Sequence, residues 1–339
     1  MFKREHHERI FKVLNSFDSD LLSRTECFFG GGTAIVLALG EYRESVDIDF
    51  LCSSHDGYRL LRNTVSNDLG ELLKTPLKHL REVRSDRDSI RTVLEVDGKP
   101  IKVEFLKEGN ATVGGDIDSV FGVPTLSRVD MFTQKLLANA DRGLDKSCSS
   151  RDIIDLAMML HHWEEDFPAG VEKAKLAYGD CVIQGFHKAI KLIQDKRYLG
   201  GCLDRMKMEP SSMDVIHSAF CIDSGVNVFV ANEYGSDKES ALVFDMFAAG
   251  KSLEQAKKLA AQKGSFVVVD SAANAEHSGV VLGVTDRHVV VSMGRSALIL
   301  AKNDLDRVPE TGQSVKVKYS GGRGVVDVVK TRAGIGCGR

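Results

Sequence analysis

Two aspartates separated by one residue, Asp47 and Asp49, stand in a short apolar segment in the first part of the chain. They alternate with Ile48 and Phe50, and this alternation predicts a β-strand with both carboxylates on one face. Two neighbouring carboxylates on one face repel each other, so a purely structural role for both would cost stability. A divalent cation removes that repulsion, and hard oxygen ligands suit Mg²⁺ or Mn²⁺. The pattern therefore predicts a metal site at the edge of a sheet.

A run of three glycines and a threonine, Gly30 to Thr33, precedes this strand. A short strand is predicted before the run and an amphipathic helix after it. Because glycine has no Cβ, the backbone N–H groups of Gly31 and Gly32 can come close to an anion, and a helix start favours negative charge. Thr33 is expected either to cap the helix or to donate its hydroxyl to a phosphate. A glycine turn alone is usually a plain connection, but joined to the aspartate strand it predicts a nucleotide site.

A third carboxylate would complete a two-metal centre, in which cations about 4 Å apart clamp the attacking and leaving oxygens of a phosphoryl transfer. The turn at Asp97 and Gly98 predicts a β-hairpin over residues 91–106. In its second strand Glu104 lies on the face opposite its apolar neighbours. If this strand is next to the aspartate strand, Glu104 lies beside the two aspartates; otherwise it is a solvated glutamate on an edge strand.

Two predicted helices carry further charged candidates. Residues 126–141 have helical apolar spacing, with Lys135 among apolar neighbours. A lysine in this setting is usually a snorkelling side chain, but its point charge also suits a phosphate group. The next helix is predicted over residues 149–163, with Ser149 or Ser150 as N-cap and with Asp152 and Asp155 on one face. Carboxylates in a first turn also simply complement the helix dipole.

In this order, the elements resemble the AbiEii/AbiGii-type nucleotidyltransferase toxins of the DNA polymerase β-like nucleotidyltransferase superfamily. The resemblance spans roughly residues 5–165. It rests on five motifs: Gly31-Gly32-Thr33-Ala34, Arg43-x-Ser45-x-Asp47-x-Asp49-Phe50, Val103-Glu104-Phe105, Lys135, and Arg151-Asp152-x-x-Asp155. One departure is the 13 residues between Thr33 and Asp47, more than the minimal spacing of the superfamily. One or two helical turns and a loop that carries Arg43 must fit there.

The resemblance implies Mg²⁺- or Mn²⁺-dependent transfer of a nucleoside monophosphate from an NTP to an acceptor, with release of pyrophosphate. The acceptor implied is an RNA, such as the 3′ end of tRNA, or a protein. A toxin of this kind is also expected to have a cognate antitoxin. The metal ligands implied are Asp47, Asp49 and Glu104, with Glu104 also helping to deprotonate the acceptor hydroxyl. The catalytic set adds Lys135 and Asp152, and the nucleotide-binding set is Gly31, Gly32, Thr33, Arg43, Ser45 and Lys135.

The last part of the chain has a different sequence pattern, in which six short strands of alternating apolar and polar residues are predicted between residues 266 and 329. Short strands with turns between them predict a compact β-barrel. This segment is similar to the KfrB-type domains of plasmid proteins, which implies a plasmid or mobile-element context more than a chemistry. Five side chains could form a nucleic-acid-facing surface, although a solvated rim explains them equally well. They are Arg287, His288, Arg295, Arg307 and Arg323.

Together these elements predict an α/β (α+β) nucleotidyltransferase lobe with a small mixed sheet, followed by a helical bundle and a small C-terminal β-barrel. The boundaries expected are 1–123 for the catalytic lobe, 124–264 for a helical domain that completes the cleft and ends in a linker helix, 265–330 for the barrel, and 331–339 for a flexible tail. Within the lobe, a helix is predicted from Tyr58 to Leu73, and His6 and His7 are expected on the solvated face of an N-terminal helix.

Composition limits the classes of function. The net charge of −3 and the pI of about 6.4 give no global field toward nucleic acid or a membrane, so any basic patch must be local. Seven scattered cysteines without a Cys-x-x-Cys pair predict a reducing cytoplasm and neither zinc nor a disulfide framework. No signal peptide and no apolar run of ~18 residues are recognisable, which predicts a cytosolic protein without a membrane segment. The alternative function is a catalytically silent, nucleotide-binding plasmid or mobile-element adaptor, whose β-domain binds nucleic acid or protein.

Overall fold

Two separate units make up the chain, Met1–Phe220 and Cys221–Arg339. The computed structural model describes residues 2–65, 68–220, 255–260, 267–269, 276–293, 296–320 and 323–328. The first unit holds a seven-stranded mixed sheet. Its strands are β1 (Cys27–Gly30), β2 (Asp47–Cys52), β3 (Lys78–Ser85), β4 (Ser89–Val96), β5 (Lys99–Lys107), β6 (Gly115–Ile117) and β7 (Pro124–Leu126). They lie in the order β3-β4-β5-β2-β1-β7-β6.

The aspartate strand β2 lies at the centre of this sheet. It pairs antiparallel with β1 and parallel with β5, so the predicted neighbour relation between the aspartate strand and the Glu104 strand is confirmed. Strands β4 and β5 form the predicted hairpin. Its turn residues Asp97 and Gly98 both have positive φ, 51° and 71°, as a two-residue turn with primed geometry requires.

Helices account for most of the remainder of the first unit. They are α1 (Glu5–Ser16), α2 (Ser19–Arg24), α3 (Gly31–Ala38), α4 (His55–Thr64), α5 (Arg128–Arg142), α6 (Arg151–Trp163), α7 (Phe167–Tyr178), α8 (Cys181–Ile193), α9 (Lys196–Arg205) and α10 (Ser212–Ala219). Helix α5 packs against α6, α7 and α8, which confirms the predicted bundle. Helix α3 packs on β2 and also contacts α5 and α6, so it joins the sheet to the bundle.

The alternation in β2 sends its apolar side chains into the core. Ile48 and Phe50 are fully buried, and the Phe50 ring stacks on Phe105 of β5 with ring centroids 4.9 Å apart. Phe17 packs edge-on against both rings. Because side chains alternate along a strand, this packing fixes the carboxylates of Asp47 and Asp49 on the opposite face.

Two predicted helix boundaries are wrong. The helix predicted from Tyr58 to Leu73 ends at Thr64, and a short 3₁₀ helix follows at Gly70–Leu72. Val65 already has an extended backbone, with φ −93° and ψ 143°, and Leu69 and Leu72 are buried although they lie outside the helix.

The predicted helix over residues 126–141 begins later, at Arg128. Ser127 caps it by accepting a hydrogen bond from the Asp130 N–H, and the residues before the cap form strand β7, which pairs with β1 and β6. A strand of three residues leaves too little periodicity to be recognised beside the long apolar spacing of α5.

The serine cap predicted for α6 is not made by a side chain. Ser150 occupies the N-cap position, but it has a φ of 49° and makes no side-chain capping bond. Its hydroxyl instead bonds to the Tyr198 hydroxyl at 2.9 Å, and the Ser149 hydroxyl accepts from Arg205 Nε at 2.8 Å. Tertiary partners on α9 have replaced the local cap.

Two expectations about side chains also fail. His7 was expected on a solvated face, yet it is fully buried, and its Nδ1 lies 2.7 Å from Glu41 Oε1. Cys27 and Cys52 form a disulfide, although no disulfide framework was expected. The two cysteines are 25 residues apart in sequence but directly opposite each other in the β1–β2 register, so only the strand pairing shows them to be partners.

The second unit contains a six-stranded sheet formed by β8 (Val267–Val269), β9 (Glu276–Val284), β10 (His288–Ser292), β11 (Ser296–Ala301), β12 (Ser314–Ser320) and β13 (Arg323–Val328). All six predicted strands are confirmed. They pair in the order β13-β12-β9-β10-β11-β8, antiparallel except for β11 with β8. Among the described residues β13 and β8 are the edges of the sheet, so no closed barrel is formed there.

Some predictions fall outside the described residues. The sequence pattern also favours a strand at 228–230, a helix at 236–249 and a linker helix that begins near 252 and ends near 264. The strand, the first helix and both ends of the linker helix lie outside the described residues, as do Arg295 and the tail at 331–339; residues 255–260 of the linker helix are helical. No described helix is long and apolar enough to cross a membrane.

Candidate active site

The acidic centre of the site lies on neighbouring strands β2 and β5. Their parallel register places Asp49 beside Glu104 and Asp47 beside Lys102. Asp47, Asp49 and Glu104 therefore share one face of the sheet, opposite the buried phenylalanines. This is the arrangement that strand alternation predicted.

The Asp49 carboxyl has a raised pKa. Burial, together with the negative charges of Asp47 and Glu104, raises it to about 6, and the positive charges of Lys102 and Lys135 partly offset these effects. The neighbouring carboxylates make Asp49 harder to ionise, and the two lysines do not fully compensate them. The Asp47–Asp49 pair therefore has the donor chemistry and the charge deficit of a site for a divalent cation.

Glu104 differs from the two aspartates because cations already contact it. Its Oε1 lies 2.9 Å from Arg91 Nε on β4, and its Oε2 accepts a hydrogen bond from Lys102 Nζ. Within the described part of the chain, no group of three or more His, Cys, Asp or Glu side chains is arranged to hold a metal ion. The metal-binding role of Asp47, Asp49 and Glu104 stays a prediction, one that the aspartates fit directly and that Glu104 would fit only after it leaves its cationic partners.

Two glycines at the start of α3 are required by the close approach of charged side chains. Gly31 has a φ of +66°, and a Cβ on it would lie 2.6 Å from Asp49 Oδ2. A Cβ on Gly32 would lie 2.4 Å from Arg43 Nη2. The first turn of α3 thus lies between a carboxylate and a guanidinium, with backbone N–H groups of the kind that bind phosphate oxygens.

Thr33 does not cap this helix, so that alternative is wrong. The N-cap is Gly30, and the Thr33 side chain is almost fully buried. Its hydroxyl lies 2.8 Å from the Ser45 hydroxyl and donates to the Asp47 carbonyl oxygen. These bonds attach the start of β2 to α3 and so fix Asp47 relative to the glycine turn.

A buried ion network forms the opposite side of the site, and Asp155 is at its centre. Arg43 binds Asp155 with two hydrogen bonds, from Nε at 2.7 Å and from Nη2 at 2.9 Å. The Tyr42 hydroxyl donates to Asp155 at 2.6 Å, and Lys135 Nζ lies 2.8 Å from the same carboxylate. Asp155 is fully buried, so these three partners compensate its charge completely inside the protein.

Asp152 extends the network toward the end of α5. It accepts from Lys135 Nζ at 3.0 Å and from two atoms of Arg142, Nε at 2.7 Å and Nη2 at 3.0 Å. Burial alone would raise the pKa of Asp152 and of Asp155, but the neighbouring cations hold both below the ordinary value. Asp152 thus holds Lys135 and Arg142 in place, and its predicted catalytic role stays a prediction.

The acidic centre and the ion network face a single cavity of about 700 Å³. Every residue of the predicted catalytic, metal-binding and nucleotide-binding sets lines it except Asp152, which contacts Lys135; Asp155 does not line it either. Arginines at the rim add positive charge, namely Arg142, Arg151 and Arg205. The volume and the separation of acidic and basic walls suit a nucleotide with its triphosphate.

Sequence reasoning missed several members of the site. Arg142 follows Lys135 by seven residues and so lies on the same helix face, a spacing that could have identified it. Lys102 precedes Glu104 by two residues on one strand face. Tyr42 and Arg91 carry no local signal, because each meets its partner only through the tertiary fold.

The loop between α3 and β2, residues 39–46, is held by residues from both ends of the first unit. Its Glu41 bonds to His7, and its Ser45 N–H lies 3.3 Å from His7 Nε2. On the other side, Lys207 Nζ contacts Glu44 at 2.9 Å, and the Glu44 N–H donates to the Met206 carbonyl. This loop carries Arg43 and Ser45, so these anchors position both predicted nucleotide-binding residues.

In the second unit, Arg307 donates from Nε to the carbonyl of Val326 on β13, so it has a structural bond in addition to its charge. Arg287 and His288 lie at the turn between β9 and β10. A nucleic-acid-facing surface in this unit stays a prediction.

Comparison with protein families gives two matches along the chain. Residues 12–197 match the family described as nucleotidyl transferase AbiEii toxin, Type IV TA system. Residues 276–328 match the KfrB domain. The comparison with curated proteins gave no match.

Two solved structures from Helicobacter pylori are also similar. The protein JHP933 aligns with 78% of this chain and 100% of its own, at 16% identity and a TM-score of 0.37. A second H. pylori protein, described as a candidate nucleotidyltransferase, aligns with 74% of this chain and 95% of its own, at 17% identity and a TM-score of 0.35.

Proposed function

Because the chain belongs to the AbiEii family of nucleotidyltransferase toxins, we propose that it transfers a nucleoside monophosphate from an NTP to an acceptor in a reaction that depends on Mg²⁺ or Mn²⁺. The acceptor is an RNA, such as the 3′ end of tRNA, or a protein. The enzyme acts in the cytoplasm as a toxin with a cognate antitoxin, and the KfrB match supports a plasmid or mobile-element origin. The observation that supports this most is the meeting of the aspartate pair, the glycine turn and Lys135 in one cavity.

Asp47 and Asp49 are the side chains that would hold the divalent cations. Bound there, a cation would polarise the α-phosphate and lower the pKa of the acceptor hydroxyl. The raised pKa of Asp49 supports this role, because Lys102 and Lys135 offset burial and the neighbouring negative charges only in part. The contribution of the protein is to fix both carboxylates on one rigid strand.

The triphosphate would lie against the first turn of α3 and Lys135. Backbone N–H groups of Gly31 and Gly32 and the positive end of the helix stabilise anionic oxygens, and Lys135 neutralises charge on the leaving pyrophosphate. Lys135 is held by Asp152 and Asp155, so little side-chain freedom remains to be lost when the nucleotide binds.

Glu104 would act on the acceptor side of the centre. It lies beside Asp49 on the same face, so it can receive the proton of the attacking hydroxyl once Arg91 or Lys102 releases one of its oxygens. Exchange of these cationic partners thus becomes part of the catalytic cycle.

The test is transfer of label from each α-³²P NTP, with Mg²⁺, Mn²⁺ or EDTA, onto total cell RNA and protein. Label in RNA that disappears in Asp49→Asn and with EDTA is the expected result. The exposed Asp20 supplies the control, and Asp20→Asn is expected to behave like the wild type. Equal labelling by wild type and Asp49→Asn would overturn the assignment of the site.

A second function, a catalytically silent nucleotide-binding plasmid or mobile-element adaptor, is favoured by the two cations that already contact Glu104. In this case NTP binds without label transfer to any acceptor. Deletion of residues 265–339 separates the roles of the two units, because an adaptor that binds nucleic acid or protein through its β-domain would lose its partner and keep NTP binding.

A further inference from the structure

The catalytic face of the sheet does not end at Glu104 but continues across the hairpin strands. The register places Val93 of β4 beside Lys102 of β5, and Arg81 of β3 beside Val93. Two residues before Val93 on β4 is Arg91, which contacts Glu104, and Arg84 of β3 lies beside Arg91. Side chains at these positions therefore share the face of the carboxylates.

Positive charge dominates this continuation of the face. Its carboxylates are paired, because Glu95 binds Lys78 at 3.1 Å and Glu104 binds Arg91 and Lys102. The remaining carboxylate of β3 is Glu82, an exposed residue in the irregular stretch between Arg81 and Arg84. Those two arginines are exposed and have no ion-pair partner among the described residues.

The pairing of Arg84 with Arg91 lowers the stability of the sheet. Their Cα atoms are directly opposite each other on neighbouring strands, and like charges in this relation repel. Arg91 is partly compensated by Glu104, but Arg84 is not. The repulsion would be relieved by an anion that lies along the strands, as a divalent cation would relieve Asp47 and Asp49.

A depression of about 410 Å³ lies on this face, next to the catalytic cavity. Asp47, Val46 and Lys102 line both spaces, so the depression opens at the catalytic carboxylates. Its surface is largely apolar, with Leu80 42% exposed and Val46 47% exposed. An apolar surface with arginines beside it suits a nucleoside whose phosphate lies at the edge.

The direction of the reaction points to the same place. Under the proposed function the leaving pyrophosphate is held by the first turn of α3 and Lys135. In-line displacement requires the attacking hydroxyl to approach from the side opposite the leaving group. Strands β1 and β5 flank β2, and α3 begins where β1 ends, so the opposite approach is over β5, β4 and β3.

We propose that this surface, formed by Val46, Leu80, Arg81, Arg84 and Lys102 and here named the acceptor face, binds the 3′-terminal segment of a single-stranded nucleic acid. The terminal nucleoside lies in the depression beside Asp47, and Arg81 and Arg84 contact the phosphates that precede it. The inference rests on the proposed function and specifies its acceptor as nucleic acid rather than protein.

The transfer on this surface is balanced without a further reactant. The oxygen of the terminal hydroxyl bonds to the α-phosphorus, and the bond from that phosphorus to the bridging oxygen of the β-phosphate breaks. The proton of the hydroxyl passes to Glu104 and from there to solvent, and the bridging oxygen leaves with pyrophosphate.

The test compares the full chain with Arg81→Gln/Arg84→Gln and with a matched control. Arg24 on α2 and Lys188 on α8 are exposed and have no ion pair among the described residues, so Arg24→Gln/Lys188→Gln removes the same charge elsewhere. The probe is a fluorescein-labelled single-stranded RNA of about 12 nucleotides with a free 3′-hydroxyl, a length within the usual range of single-strand sites. Binding is followed by anisotropy at several NaCl concentrations.

We expect the acceptor-face variant to bind the RNA on the order of tenfold more weakly, while the control binds like the wild type. The slope of log affinity against log salt should decrease by about 1.4, because two phosphate contacts are lost at roughly 0.7 each on a single strand. In label transfer, KM for the RNA should rise and KM for the NTP should not change. Arg81→Lys/Arg84→Lys should restore most of the binding.

The other outcomes separate the inference from the proposed function. Label transfer with equal RNA affinity in both double variants leaves the enzyme established and the acceptor face wrong. Label on protein, or a wild-type chain without RNA affinity, also excludes a nucleic-acid surface here. Weaker RNA binding by the acceptor-face variant without any label transfer would support the surface and reject the enzyme.

Discussion

The two sides of the cavity treat buried charge in opposite ways. On β2, Asp47 and Asp49 lie together without a cation in contact, and the pKa of Asp49 is raised to about 6. On α6, Asp152 and Asp155 are three residues apart, but each is bound by two cationic side chains and has a lowered pKa. Both pairs are aspartates near one cavity, so residue type alone does not distinguish their tasks.

The difference shows which pair is arranged for an external partner. A fully compensated carboxylate stabilises the fold and fixes the cations around it, while an uncompensated one lowers stability until a cation binds. Under the proposed function the acidic centre is the reactive part of the site, and the ion network holds Arg43 and Lys135 in place.

The largest effect is expected at Asp49. Asp49→Asn removes one of the two side chains that would hold the metal, and we expect transfer to fall by about 10⁴-fold, or about 5 kcal/mol of transition-state stabilisation. Because the replaced charge is uncompensated, the variant should fold as well as the wild type. Steady-state label transfer measures the first expectation and circular dichroism the second; an unfolded Asp49→Asn would contradict the comparison.

Substitution of Asp155 should mainly reduce stability, in contrast to substitution of Asp49, which should mainly reduce activity. Asp155→Asn leaves the charges of Arg43 and Lys135 buried with one anion fewer, and we expect the free energy of unfolding to fall by about 3–5 kcal/mol. Urea denaturation measures this, with Asp20→Asn as the exposed control. A change below about 1 kcal/mol would mean that the network is not the stabilising element described here.

The pH dependence of stability sharpens the contrast. A carboxyl with a raised pKa binds its proton more tightly in the folded chain, so its contribution to the free energy of unfolding falls between about pH 4 and pH 6. The free energy of unfolding of Asp49→Asn should equal that of the wild type near pH 4 and exceed it by about 2 kcal/mol at pH 7. Asp152 and Asp155 have lowered pKa values, so their contribution is complete above pH 4 and is lost only in stronger acid. Denaturation of both proteins across this range tests the sign.

The smallest effect is expected at the anchor of the loop that carries Arg43. His7→Ala leaves Glu41 without its buried partner and the Ser45 N–H without its acceptor, which should cost about 1–2 kcal/mol. His55 is exposed at the start of α4, and His55→Ala is the control. Thermal unfolding measures both; a loss of transfer in His7→Ala far beyond the loss of stability would show that the loop also adjusts during the reaction.

The acidic centre was predictable because its signals are local. Alternation places Asp47 and Asp49 on one face of β2, and the Asp97–Gly98 turn and alternation in β5 place Glu104 on the polar face of its own strand. The pairing of β2 with β5, which brings the three carboxylates together, remained a condition that only the fold could settle. The six strands of the second unit were predicted for the same reason, because each strand shows its own local alternation. These patterns do not show whether a sheet closes on itself. A closed barrel was expected for the second unit, but its described strands form an open sheet with two edge strands.

The ion network was not predictable in this way. Arg43 and Asp155 are 112 residues apart, and neither segment indicates the other. The same holds for the His7–Glu41 pair and for the disulfide between Cys27 and Cys52, each of which depends on an element pairing that forms only in the folded chain. Asp152 was recognised through a family motif, which identified the residue but not that its role is to hold Lys135 and Arg142.

Gly31 and Gly32 separate the two sides of the cavity, one in contact with Asp49 and the other with Arg43. Every substitution of a glycine adds at least a Cβ, so every missense change in these two adjacent codons places an atom within 2.6 Å of a charged group. If production of the protein arrests growth, as its family implies, cells that escape should carry mutations clustered in these codons. Sequencing such survivors would give a genetic map of the narrowest point of the site.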